Sequence, residues 1–181
     1  MNTRTFNYNI GFHERLALLS GEHECLLSQE NTIELSGNGV FERWSRPVIT
    51  RDHIPLDWRY DLNPATNPHL MERIGVNSTF NSGAMLWNGR YILVVRVEGY
   101  DRKSYFAVAE SKSGVDRFKF WSRPVSLPQT DQPDTSVYDM RLTQHEDGSV
   151  YGLFCTERKD PSKPDDTSAA LAACGIARTS D

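Results

Sequence analysis

The chain has 181 residues, enough for one domain with a real hydrophobic core, and its 20 basic and 24 acidic side chains leave a net charge of −4. That balance argues against sequence-independent nucleic-acid binding, which needs a basic face. The composition, rich in aromatics such as Trp44, Trp58, Trp87 and Trp121, is globular and not disordered.

Three cysteines, Cys25, Cys155 and Cys174, have no short paired spacing and fit neither a disulfide framework nor a zinc site. They sit in apolar runs and read as small core residues, in a protein of the reducing cytoplasm. The N-terminus lacks the apolar region and cleavage site of a secretory leader, and no run approaches a membrane span. The glycosylation-like triplet at Asn77 therefore reads as accidental.

Residues 11–28 place Phe12, Leu16, Leu19, Leu26 and Leu27 at roughly helical spacing. The expectation is a helix or helix pair that breaks or kinks at Ser20-Gly21 and packs on the main body. From Glu30 the character changes to short β-branched and aromatic runs separated by Gly, Pro, Asn and Asp. The boundary falls between a helical extension, 1–29, and an all-β region, 30–181. Clear strands are expected over 90–99, 104–111, 136–143 and 149–157, joined as consecutive antiparallel hairpins.

A longer repeat overlies them. Gly89 matches Gly148 and Ala109 matches Ala177, with extra residues of the second copy falling in the polar run "KDPSKPDDTS". The run Trp-Ser-Arg-Pro-Val also occurs twice, from Trp44 and from Trp121, and places Arg46 and Arg123 at equivalent edge positions of successive units, where Pro47 and Pro124 limit pairing. Repeated four-strand units point to a β-propeller, which closes with roughly four to eight blades. About two blades can be counted here, so the chain reads as truncated.

Candidate chemistry lies on these strands. Alternation puts Ile92, Val94, Arg96 and Glu98 on one face, with Asp101, Arg102 and Lys103 on the next turn. Those charges are either an ion network holding a hairpin or the lining of a pocket. Alternation likewise puts Val137, Asp139, Arg141 and Thr143 together, and Asp is disfavoured in mid-strand, which singles out Asp139. Arg158, ending the strand that runs to "CTERKD", is expected to share a space with Arg96, Arg102 and, further along, Arg178. Several arginines around one acid suit phosphate or carboxylate oxygens. The five histidines have no metal-ligand spacing, so no metal is expected, and neither a phosphate loop nor a nucleophile elbow is present.

The stretches "DWRYDLNPATNPHLMERIGVNSTFNSGAMLWNGRY", "LVVRVEGYDRKSYFAVAES", "SVYDMRLTQHEDGSVYGLFCTERKD" and "GIARTSD" resemble the mannosylglucose phosphorylases of glycoside hydrolase family 130. The resemblance implies a five-bladed β-propeller with a central active site. It implies inverting phosphorolysis of 4-O-β-D-mannosyl-D-glucose to α-D-mannose 1-phosphate and glucose, with phosphate as co-substrate and no cofactor. It also implies Asp139 as the catalytic acid, acting through the 3-hydroxyl of the mannosyl unit. Asn81, Ser82, Arg96 and Arg102 match sugar-contacting positions, and Arg158 and Arg178 match phosphate-binding arginines. Family members are longer, and the blades beyond this chain supply a lysine, a histidine and a further acid, so weak or absent activity is expected of the chain alone. A hydrolase needs a second carboxylate to activate water, whereas phosphate is already an anionic nucleophile. The rival expectations are a β-mannoside hydrolase on the same fold and a non-catalytic carbohydrate-binding fragment; a full-length form could form homo-oligomers.

Overall fold

A computed structural model describes residues 10–35, 39–73, 75–128 and 130–180. Its first element is a single helix, α1 (Phe12–Ser28), opened by Gly11, whose amide N–H donates to the Glu14 carboxylate at 3.1 Å. The expected break at Ser20-Gly21 does not occur: the helix runs through, and Gly21 faces open space. Nor does α1 bury a residue. It touches the body through polar contacts, such as Arg15 Nη1 to the His69 carbonyl at 3.1 Å.

Two short strands, β1 (Ile33–Leu35) and β2 (Arg43–Trp44), form a separate antiparallel ribbon. The first Trp-Ser-Arg run thus starts on this ribbon, whereas the second lies in β6 (Lys119–Pro124), the edge of a four-stranded sheet. The two copies do not mark equivalent strands of equivalent sheets. Instead the Asn31 side chain ties the first to the loop before the second: its Nδ2 donates to the carbonyls of Arg46 (2.8 Å) and Val115 (3.0 Å). A short helix α2 (Leu56–Arg59) then leads into a loop built around fully buried Asn67, which bonds Asp61 and Met71 backbone on both sides.

The body is two antiparallel meanders. Sheet one is β3 (Val76–Trp87), β4 (Arg90–Gly99), β5 (Ser104–Ser111) and β6 in that order. Sheet two is β7 (Ser136–Gln144), β8 (Val150–Lys159) and β9 (Ala170–Thr179). The expected strands at 90–99 and 104–111 are matched at both ends. The turn Asn88-Gly89 joins β3 to β4 with positive φ at both residues, 49° and 72°, as a tight hairpin requires. The repeat is exact in register: Ala109 faces Leu93, four residues after Gly89, and Ala177 faces Gly152, four residues after Gly148. The longer second copy takes up its extra residues between β8 and β9, in turns where Asp160 and Asp166 accept from Ser162 and Ser168.

One apolar layer fills the space between the sheets, with Ile92, Val94, Phe106 and Val108 meeting Val137, Met140 and Phe154. A second layer covers the far face of sheet one, where Leu93, Val95, Val97 and Phe118 meet Ile54 and Trp58. Alternation along β4 therefore works as expected, with both faces buried. Among the described residues, sheet two is covered on one face only. Leu153 and Ile176 on its other face are 50% and 68% exposed. Cys25, Cys155 and Cys174 are all exposed too, so none is the core residue its apolar run suggested.

His53, buried beside the second layer, accepts the Thr50 amide N–H at Nδ1 (3.1 Å). Burial foremost, and then the His23 charge, holds its pKa below the ordinary value of 6.5, against smaller opposing effects of Asp52 and Thr50. The unfolded chain therefore binds this proton more readily, so the contribution is whole above pH 6.5 and is lost as pH falls below it. The expected outcome is a urea-unfolding midpoint that drops as pH falls from about 7 to about 5, with a shallower drop in His53→Gln.

Candidate active site

Where β3 lies against β7, two strand irregularities meet. The β3–β4 register skips between Phe80 and Gly83, and the β7–β8 register skips between Tyr138 and Arg141. Each skip leaves two residues unmatched, Asn81-Ser82 and Asp139-Met140. Asn81 and Asp139 both take left-handed backbone, with φ of 48° and 62°. They are equivalent places in the repeat, since Phe80 faces the seventh residue after Gly89 and Tyr138 the seventh after Gly148. Such bulges re-aim side chains, and Asn and Asp adopt the left-handed region more readily than other side chains.

The bulge changes the face assignment made from alternation. Met140 joins Val137 in the buried layer, and Arg141 is exposed, because the extra residue shifts the phase after Asp139. Asp139 is thereby turned out of the ladder toward Asn81, whose Nδ2 donates to Asp139 Oδ1 at 3.1 Å. Gly83 permits this approach: a Cβ there would lie 2.3 Å from the Met140 carbonyl oxygen.

Arg96, from β4, completes the grouping. Its Nη1 reaches the same Oδ1 of Asp139 at 3.3 Å, and its Nε donates to Ser104 Oγ at 2.9 Å. The guanidinium carbon lies over the rings of Phe80 and Tyr138, 4.4 and 4.8 Å from their centroids. Two aromatic contacts with donors engaged at the edges make Arg96 a fixed cation. The Tyr138 phenol is pushed up to about 12, by burial first and then by the Glu157 carboxylate, so it stays neutral.

Behind Arg96 stands Glu98, a buried carboxylate whose importance alternation alone left open. It accepts from Asn77 Nδ2 at 2.8 Å and pairs with Arg96 at 3.5 Å and Arg102 at 3.2 Å. The ion-network reading holds: these pairs secure the β4–β5 hairpin, and Arg96 carries the network on to Asp139. Arg102, on the turn with φ 64°, is 79% exposed at its side chain and projects past Glu98 into solvent. Ser82 is half-buried in the bulge beside Asn81.

The arginines expected at the phosphate divide. Arg158 lies one residue past the Ser136–Glu157 pair, at the end of sheet two where the Ser104 amide donates to Ser136 Oγ (3.1 Å) and links it to Arg96. Its Nε binds Asp134 at 2.9 Å. Burial raises the Asp134 pKa, but hydrogen bonds from Thr156 and Arg158 outweigh that and leave it lowered. Arg178 does not join this group. It faces Tyr151 at the opposite end of β8, roughly 23 Å from Arg158 at about 3.3 Å per residue, bonded to Ser149 and Asp147. The common space expected for Arg158 and Arg178 is therefore not formed by these two sheets. Among the described residues no cluster of three or more His, Cys, Asp or Glu is placed to hold a metal.

No protein-family model matches the sequence. The chain is 56% identical over 171 residues to the 4-O-beta-D-mannosyl-D-glucose phosphorylase of Bacteroides fragilis, an alignment covering 94% of this chain and 44% of that protein. The chain thus spans less than half the length of the curated relative it matches. A crystal structure from Bacteroides thetaiotaomicron, named as a candidate glycosidase, aligns over 59% of this chain and 35% of its own, at 22% identity and a TM-score of 0.45.

The close approach of β3 and β7 is open to a direct test. Gly83→Ala is expected to lower stability by about 1–3 kcal/mol through overpacking against the β7 backbone, read by urea denaturation. Gly21→Ala, in open space on α1, is expected to leave the midpoint unchanged or slightly raised.

Proposed function

We propose that the chain contributes the acid and part of the sugar-binding wall of an inverting β-mannoside phosphorylase acting on 4-O-β-D-mannosyl-D-glucose. The observation that carries the reading is the Asn81–Asp139–Arg96 grouping, found on the stretches that relate this chain to a mannosylglucose phosphorylase. In this reading the two meanders are consecutive blades of a five-bladed propeller of glycoside hydrolase family 130. Their inner strands, β3 and β7, present the bulges to a central channel, and further blades complete its wall.

The chemistry follows from the acid's surroundings. Asn81 and Arg96 both bind Oδ1, so Oδ2 is the oxygen that carries and delivers the proton. That proton passes through the mannosyl 3-hydroxyl to the departing glycosidic oxygen while a phosphate oxygen attacks the anomeric carbon from the opposite face. The C1–O bond to glucose breaks, the C1–O bond to phosphate forms, and the proton that phosphate gives up restores Asp139. Arg102, exposed beside Glu98, and Asn81 and Ser82 in the bulge are the sugar contacts. Arg158 is the phosphate contact at this end of sheet two. Arg178, at the far end, has no part in the step that these sheets build.

A hydrolase would need a second carboxylate to activate water. Glu98 is the second carboxylate of this cluster, and its Asn77, Arg96 and Arg102 partners commit it to structure. That removes Glu98 as the water-activating base, and the match of Arg158 to a phosphate-binding position supports phosphorolysis over hydrolysis.

In a form that carries the further blades, mannosylglucose and inorganic phosphate are expected to give α-D-mannose 1-phosphate, and none when phosphate is withheld. Phosphate-independent release of mannose would overturn the reading in favour of a hydrolase. Binding of the disaccharide without turnover at saturating phosphate would make the chain a sugar-binding unit. In that extended form Asp139→Asn is expected to cut kcat by about 100- to 10,000-fold with little change in disaccharide binding. Arg158→Ala is expected to raise the KM for phosphate more than the KM for disaccharide, as initial-rate kinetics would show.

A further inference from the structure

Next to this site, where Cys155 lies opposite Tyr138 on β7, two of the three cysteines face one another. Cys155 on β8 and Cys174 on β9 are direct partners in a register that runs from Val150↔Thr179 to Lys159↔Ala170 without a shift. Just beyond that run, the Asp160 amide donates to the Ala169 carbonyl at 3.2 Å, which makes 160 and 169 a hydrogen-bonded pair. Hydrogen-bonded and non-hydrogen-bonded pairs alternate along an antiparallel ladder, so five steps back Cys155 and Cys174 form a non-hydrogen-bonded pair. There the side chains lie closest, with Cα atoms about 4.5 Å apart, inside the roughly 4.4–6.8 Å that a disulfide spans.

Both thiols are exposed. They lie on the uncovered face of sheet two, with Leu153 and Ile176 on one side and Glu157 and Ala172 on the other. Small Ala172 leaves one approach open. The third thiol, Cys25, sits on α1 and has no cysteine opposite it in the sheets.

We propose that Cys155 and Cys174 form a reversible dithiol–disulfide site that exchanges with low-molecular-weight disulfides of the glutathione type. One cysteine thiolate attacks a sulfur of the oxidised glutathione, forming a mixed disulfide and releasing one glutathione thiolate. The opposed cysteine thiolate then attacks the protein sulfur, closes the cross-strand disulfide and releases the second glutathione thiolate. Two protein thiols are oxidised, one external disulfide is reduced, and the two thiol protons end on the released glutathiones. The bond joins β8 to the edge strand β9 and closes the loop from Thr156 to Ala173. This pair adjoins Tyr138 of the candidate active site, but it does not rest on the proposed phosphorolysis and is read without any activity assay.

The test is intact-mass analysis of the full reduced chain after incubation with oxidised glutathione and quenching with N-ethylmaleimide. The expected product has Cys155 and Cys174 joined with the loss of two hydrogen atoms and closed to maleimide, while Cys25, without a resolving partner, carries either a maleimide or one glutathione. Peptide mapping joins Cys155 to Cys174, and dithiothreitol restores all three alkylation sites. Cys155→Ser and Cys174→Ser are each expected to hold glutathione as a stable mixed disulfide on the remaining partner, where the parent chain expels it. Stable glutathione on both cysteines of the parent chain would overturn the proposal. So would full alkylation of both after oxidation, or linkage to Cys25 or to a second chain.

Discussion

The arrangement rests on two strand bulges held against each other across the contact between β3 and β7. Left-handed backbone at a residue with a side chain costs of order 1–3 kcal/mol, and Asn81 and Asp139 both adopt it. What holds them there is the packing around them: the shared apolar layer draws the sheets together, and Gly83 lets the two backbones meet. Straight strands at these positions would leave Asp139 in the ladder, pointing along the face that alternation assigns to it. The bulge frees that side chain from the pleat and gives it Asn81 as a partner. The two bulges occupy equivalent positions in a structural repeat, with Asn in one copy and Asp in the other.

Arg96 turns that geometry into a fixed electrostatic environment. A guanidinium over the rings of Phe80 and Tyr138, and bonded to Ser104, Glu98 and Asp139, has little freedom left. Arg102 differs in kind, being held at one edge by Glu98 and otherwise in water. A rigid arginine against Asp139 and an exposed one thus stand within a few residues of one hairpin. Glu98 pairs with both, which offsets the cost of several kcal/mol that an unpaired buried carboxylate would carry.

The two sheets share a plan but not an environment. Sheet one is packed on both faces, sheet two on one, and this difference governs how well each strand could be read. In β4 and β5 the apolar runs, their alternation and the Asn-Gly turn all agree, and strands and faces follow from composition. In β8 and β9 the same kind of run ends at exposed Leu153, Ile176, Cys155 and Cys174. An apolar residue records a preference for burial, and only the arrangement of layers determines whether a cover is present. The helix shows the converse: periodicity indicated its existence, but its apolar positions are not buried, and Gly21 did not break it.

The sequence by itself determined four of the strands, though not β3 or β6, together with the repeat, the tight turns and the unusual placement of Asp139, because each depends on local propensity or on spacing along the chain. It also marked Arg96 and Glu98 as charges in an apolar strand, without deciding between a network and a pocket. Only the tertiary structure decided which charges meet. The bulge that shifts the phase after Asp139, the aromatic contacts that fix Arg96, the separation of Arg158 from Arg178 and the pairing of Cys155 with Cys174 all depend on register and on contacts between residues distant in sequence. Spacing along one strand carries no information about the strand beside it, and one extra residue in a ladder is enough to reverse every side chain that follows.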